Sequence, residues 1–349
     1  MDDVTTLNQH SISRRTVLKV AGVGALALGG ALAAAPLSAE AATFYKGADI
    51  SWAPQMEAHG YYWKNTSGVK EDILTILKGY GINAIRLRTF VNPSSDPANG
   101  HCSITETAAM AVRCKNAGMA IDIDFMFGDT WNSVGVQNPP AAWANMSYSQ
   151  MLSAMKSYVS NSMNVLKSNG VTPTWVQIGN EINSGICHPV GSISNPSQMT
   201  GLLNAAYTEV KAVFPSALVL IHVAQPQNVS GVENMLDAYK AHGGQWDISA
   251  FSSYGSGSST ISGIISNINT YKSRYGKPVM QVEFGGPENR ASRVETDLES
   301  YITGMKSIGG LGVFYWEPEG YSPFTSYSMG AWDSSSREPT VAMNGFLNA

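Results

Sequence analysis

From Thr43 onward the chain repeats one alternation eight times: a short β-rich run, then a stretch with apolar residues at helical spacing. Few folds accept that rhythm. The candidate strands are Tyr45–Asp49, Ala84–Arg88, Ala120–Phe125, Trp175–Ile178, Leu218–His222, Ile248–Ser253, Pro278–Val282 and Gly312–Trp316. Between them, Val69, Ile73, Leu74 and Leu77 mark one helix, and Leu203, Tyr207, Val210 and Phe214 another. Further helices are expected over Thr105–Ala117, Ser147–Lys167, Val232–His242, Ile264–Tyr275, Arg293–Ile308 and a C-terminal stretch near Thr340–Leu347. Gly79, Gly118, Gly170, Gly243 and Gly276 stand where helices should stop. This order predicts the α/β class, with parallel strands closed into a single (β/α)8 TIM barrel over residues 42–349. No linker starts a second domain, and an apolar fraction of 44% is ample for one core.

The first 41 residues stand apart from the pattern. Ser13-Arg14-Arg15-Thr16-Val17-Leu18-Lys19 sets two arginines ahead of an Ala/Gly-rich apolar stretch from Val20 to Ala35, and Ala39-Glu40-Ala41 offers small residues for cleavage. We expect residues 1–41 to be a twin-arginine signal peptide that is removed, with the protein exported to the periplasm or the medium. The stretch is short for a bilayer span, so no membrane partner is expected after removal. The basic and acidic residues lost with it cancel, and the net charge stays at -4.

Charged residues make up 14% of the chain and no Lys/Arg block occurs, which argues against nucleic acid and for a neutral substrate met by a monomer. None of the 6 histidines falls in a His-Glu-x-x-His or His-x-His spacing, and no Gly-x-Ser-x-Gly elbow is present. Metal and serine-hydrolase chemistry are therefore not indicated, and no cofactor is expected. Cys102, Cys114 and Cys187 permit at most one disulfide; a Cys102–Cys187 bridge and three free thiols both remain open.

Period-two alternation sorts the strand residues by face. In Ala84-Ile85-Arg86-Leu87-Arg88 the arginines share the interior face. The same parity turns Asp122 and Asp124 inward on strand 3, as hydrogen-bond anchors, and Gln281 and Glu283 inward on strand 7.

Two glutamates each follow an apolar run: Glu181 in Trp175-Val-Gln-Ile-Gly-Asn-Glu181, and Glu283 in Pro278-Val-Met-Gln-Val-Glu283. A parallel barrel gathers its strand ends at one face, where two such carboxylates can flank a glycosidic bond. A retaining glycosidase needs one carboxylic acid to protonate the leaving oxygen and a carboxylate roughly 5 to 5.5 Å away to attack the anomeric carbon. Glu181 takes the acid/base role and Glu283 that of the nucleophile. Asn180 is placed to meet a sugar 2-hydroxyl, and Arg88 and the Tyr254 hydroxyl are expected to hold Glu283 ionised. Trp316, closing strand 8, offers a face on which a sugar stacks. Arg86 is expected to be a buried structural partner of Asp124.

Lys46-Gly-Ala-Asp49-Ile-Ser, Gly81-Ile-Asn-Ala-Ile-Arg86-Leu-Arg88 with Val91-Asn-Pro93, Asp129-Thr-Trp131, Ile178-Gly-Asn180-Glu181-Ile and Val313-Phe-Tyr-Trp316-Glu317-Pro318 resemble, in order, the motifs of glycoside hydrolase family 53. That resemblance implies a retaining arabinogalactan endo-β-1,4-galactanase. It implies Glu181 as acid/base and Glu283 as nucleophile, and it adds Asp49, Trp131 and His222 to the substrate-binding set.

The departures fall around the cleft. The family's histidine and tyrosine after strand 3 are replaced in Asp124-Phe-Met126-Phe127-Gly128. Ala224 stands where an aspartate follows strand 5, Cys187-His188-Pro189 replaces Leu-Trp-Pro after strand 4, and Ser253-Tyr254-Gly255 replaces Tyr-Tyr-Pro. The stretch from Phe284 to Arg293 holds one acidic residue, Glu288, so the calcium site of bacterial members is not expected. These changes leave open the same mechanism on mannan or β-glucan, and a glycan-binding barrel without catalysis.

Overall fold

A computed structural model describes residues 43–349; the expected signal peptide lies outside the described residues. Eight parallel strands close into a barrel: β1 Tyr45–Asp49, β2 Ala84–Thr89, β3 Ala120–Phe125, β4 Trp175–Ile178, β5 Leu218–Ala224, β6 Ile248–Ser252, β7 Val279–Phe284 and β8 Gly312–Trp316. Each strand pairs with its sequence neighbours, and β8 closes onto β1. The main helices between them are α1 Ile73–Gly79, α2 Ile104–Asn116, α3 Tyr148–Ser168, α4 Pro196–Val213, α5 Val229–Ala241, α6 Ser258–Tyr275 and α7 Ala291–Ser307; short helical turns at Ala53–Ala58 and Ser322–Thr325 lie in loops, and a short α8, Gly345–Asn348, ends the chain. No helix among the described residues is long and apolar enough to cross a membrane.

Local chemistry accounts for the boundaries. Ser103 and Glu106 form a reciprocal capping box at the start of α2, and Ser147 and Gln150 form one at the start of α3. The sequence placed a helix from Val69, but that residue is exposed and precedes α1, which begins after its Asp72 cap. At the far end of α1 the left-handed stop is Gly81 at φ 78°, whereas Gly79 is still helical.

The strands present two faces. Ile85, Leu87, Ile123, Val176, Ile221 and Phe251 join the main core under the helices. Ala84, Trp175, Leu220, Ala250, Met280, Val282 and Phe314 form a separate cluster inside the barrel. Tyr45 and Phe314 pack edge-on against Trp175 there, with ring centroids 4.5 and 6.3 Å away. Gly47 lets β1 pass this plug, since a Cβ on it would lie 2.2 Å from the Phe314 ring.

Above the plug the interior turns polar, and strand 7 departs from simple alternation. Ala250 faces Met280 in register, yet Ser252 faces Glu283, so a β-bulge inserts one residue next to Val282. Met280 and Val282 thus fill the interior and Glu283 still turns inward. Gln281, expected inward, is instead in register with Phe251 and Val313 of the outer core.

Candidate active site

Glu181 sits just past β4 at φ 47°, two residues after Gly179 at φ 100°. The left-handed backbone at Gly179 requires glycine, and a Cβ there would also meet Ile182 at 2.7 Å. This turn swings a half-buried Glu181 out over the barrel mouth. Its Oε1 accepts from the Ser252 hydroxyl at 2.7 Å and its Oε2 from the Val134 backbone N–H at 3.2 Å.

Glu283 is 5% exposed, at the end of β7. Its Oε1 lies 2.9 Å from Arg86 Nη1, and its Oε2 accepts from the Tyr254 hydroxyl at 2.9 Å. Ser252 ties the two glutamates together, because it holds Glu181 through its side chain and neighbours Glu283 on the strand ladder. Burial pushes the Glu283 carboxyl up to about 8; the Arg86 charge and the Tyr254 hydroxyl work against that rise, and the Glu181 charge adds to it.

The positive charge beside Glu283 comes from Arg86, not from Arg88. Arg86 also pairs with Asp49 at 2.8 Å and Asp124 at 2.9 Å, and donates to Asn180 Oδ1 at 2.9 Å. Burial opposes its charge, but the surrounding carboxylates hold the guanidinium protonated. Arg88 reaches the other way, to Glu317, and lies 4.3 Å from the Trp131 ring and 5.0 Å from the Trp52 ring. The exchange follows from reach, since Arg86 extends upward from one rung lower on β2.

Three residues expected to bind substrate are fully buried and do not face the cleft. Asp49 accepts from Ser51 and pairs with Arg86, and Arg88 is sealed under the tryptophans. His222 is kept neutral by burial and the Arg86 charge, with Nδ1 3.0 Å from Asn180 Oδ1. The contacts each makes here are with other protein groups. Asn180 is 6% exposed, and its amide nitrogen donates to Asn132 O at 2.8 Å. Tyr254 is 38% exposed, and Trp131 and Trp316 are half-buried at the rim, in one aromatic group with Trp52 and Tyr327.

Asp124 is the anchor that was expected, paired with Arg86 and accepting from Gln177 at 2.5 Å. Asp122 is not. Both its oxygens are buried without a hydrogen-bond partner among the described residues, and burial raises its carboxyl to about 7. The three cysteines are free buried thiols, so the Cys102–Cys187 bridge is not formed.

Several site residues escaped the sequence reading: Ser252, Val134 through its backbone, and Gln137, which donates to the carbonyls of Asn180 and Glu181 at 2.8 and 3.1 Å. Ser252 alone carried a signal, since it shares the inward parity of Ile248 and Ala250. The altered positions after β3 prove to be packing: Met126 is buried with Phe90, Cys102 and Trp131, and Phe127 stacks on Phe125 at 5.5 Å. Ala224 lines the cleft, while His188 bonds Ser184 O through Nε2 at 2.8 Å.

The model of a known family, described as glycosyl hydrolase family 53, matches residues 45–297. A probable arabinogalactan endo-beta-1,4-galactanase A of Aspergillus fumigatus is 29% identical over 80% of this chain and 85% of its own length. Among solved structures, the GH53 catalytic domain of Ignisphaera aggregans superposes with a TM-score of 0.79 at 27% identity, covering 87% of this chain and 95% of that one. A structure from work on two fungal beta-1,4-galactanases gives a TM-score of 0.79 at 25% identity, covering 87% and 99%.

Proposed function

The chain belongs to glycosyl hydrolase family 53, and from that premise we propose that it hydrolyses β-1,4-galactan from within, with retention at the anomeric carbon. That it is a glycoside hydrolase follows from the family. The choice of galactan rests on its likeness to galactanases, and the stereochemistry on the site.

One observation carries the mechanism: glutamates from the ends of β4 and β7 meet on either side of Ser252, and the guanidinium of Arg86 touches only the second. When Glu181 carries the pair's single proton, the like charge that raises Glu283 disappears. Arg86 and the Tyr254 hydroxyl then favour the Glu283 carboxylate. Glu283 attacks the anomeric carbon as Glu181 gives its proton to the glycosidic oxygen, which leaves with the bonding pair. In the second step Glu181 takes a proton from water, whose oxygen displaces Glu283 and restores both carboxyl groups. The half-buried Trp131 and Trp316 stack against sugar rings at the rim, and the second hydrogen of the Asn180 amide meets the 2-hydroxyl. The protein acts as a monomer outside the cytoplasm, after twin-arginine export.

The test replaces Glu283 with Ala and supplies azide to galactan-derived substrates. Rescued turnover giving a glycosyl azide of inverted configuration supports the assignment; full activity without azide refutes it. Reducing-end release by the wild type from galactan, mannan and β-glucan in parallel settles the sugar, and release from none would leave a binding protein.

A further inference from the structure

Beside Glu181 opens a cavity of about 360 Å³, lined among others by Ser133, Val134, Gln225, Gln227 and Tyr254. It is the space into which a group protonated by Glu181 departs. Glu181 is the one charged residue in its lining, which contains no tryptophan or phenylalanine. Its one aromatic ring belongs to Tyr254, whose hydroxyl is committed to Glu283. The tryptophans of the mouth gather elsewhere, around Trp52.

The wall next to Glu181's own loop is a preformed turn. Gln225 adopts φ 58°, a left-handed conformation that side chains with a Cβ rarely take. Its N–H donates to Ser252 O at 3.0 Å and its carbonyl accepts from Asn228 N–H at 2.8 Å, so the strain is held from both ends. The Asn183 carboxamide clamps Ala224 just before it, donating to its carbonyl at 2.9 Å and accepting from its N–H at 2.8 Å. Gln225 and Gln227 are exposed, and neither carboxamide bonds another protein group among the described residues.

We propose that Gln225 and Gln227 form the leaving-group subsite and read the hydroxyls of a neutral sugar by hydrogen bonds in place of ring stacking. Each carboxamide offers a donor and an acceptor, which suits paired hydroxyls on one pyranose edge. Among the described residues, no lysine, arginine or histidine stands in the lining to pair with an anionic sugar. This inference rests on Glu181 being the acid/base.

The experiment compares wild type with Gln225→Ala, Gln227→Ala and the double variant on two substrates that differ in what departs. One is β-1,4-galactotetraose; the other is 4-nitrophenyl β-galactobioside, whose departing group has no sugar hydroxyls. The ratio of kcat/KM on the first to that on the second falls about tenfold for each single variant and further for the double. A ratio unchanged in all three variants overturns the subsite, whether or not overall rates drop. A wild type inactive on both substrates but active on mannan or β-glucan overturns the choice of galactan, and one inactive on all of them overturns the reading of the catalytic pair and this inference with it.

Discussion

Arg86 Nη1 lies 2.9 Å from Glu283 Oε1, and the same guanidinium bonds Asp49, Asp124 and Asn180. One cation thus holds together side chains from β1, β2, β3, the loop after β4 and β7, all withdrawn from water. A buried cation with several anionic partners is costly to remove, because each carboxylate left behind loses its compensation.

Arg86→Leu should therefore destabilise the fold by about 3–5 kcal/mol at neutral pH. The loss should shrink at acid pH, where Asp124 and Glu283, both raised by burial, take up protons and no longer need a counter-charge. Urea unfolding at pH 5 and pH 8 measures the difference. Equal destabilisation at both would mean that Arg86 acts through packing alone.

Catalysis requires one proton on the glutamate pair, and burial places the last proton's loss at about 8. Above that pH the pair has no proton left to give. We expect kcat/KM to fall about tenfold per pH unit on the alkaline side, and Glu181→Gln to lose this limb along with most activity. A pH profile on a galacto-oligosaccharide, whose leaving group needs the acid, reads the limb, and an activated aryl glycoside, which needs little acid assistance, keeps Glu181→Gln measurable and should show no such limb.

Ser252 acts through Glu181, and among the described residues its hydroxyl is the one side chain bonded to that carboxyl. Ser252→Ala should lower kcat/KM about tenfold for natural linkages, since the acid loses its fixed rotamer. The effect should be weaker for nitrophenyl leaving groups, and Ser252→Thr should restore much of it. Uniform loss across leaving groups would indicate a packing role.

Asp122 has a folded carboxyl raised to about 7 by burial, against an unfolded value of about 3.9. The folded state therefore binds the extra proton between those values, and stability falls as pH rises through that window. The slope reaches about 1.4 kcal/mol per pH unit for one group, and the loss is complete above about pH 7. Asp122→Asn should flatten this part of the curve relative to wild type and raise the melting temperature at pH 8. Parallel stability curves would show that Asp122 titrates normally.

The barrel was legible because each strand is short and bounded by turn residues, and because apolar spacing changes period between strand and helix. All eight expected strands form, and Tyr45–Asp49, Ala120–Phe125, Trp175–Ile178 and Gly312–Trp316 keep their bounds. The positions of the two glutamates were legible for the same reason. What the sequence left hidden is how far a long side chain reaches. Parity puts Arg86 and Arg88 on one face, but only packing decides that the lower one meets Glu283 while the upper one turns to Glu317 under the tryptophans. Backbone donors such as Val134 N–H leave no mark in residue types. Burial was also beyond the pattern: Asp49 and His222 carry cleft-like chemistry yet are sealed beneath it.

The bulge in β7 separates two demands that a regular strand would force into one. Met280 and Val282 answer to the packing of the bore, while the next residue answers to the reaction, one step out of phase. Were the strand to pair residue for residue through this point without losing any length, simple alternation would turn the acidic group toward the helical shell, leaving a barrel that is whole and inert.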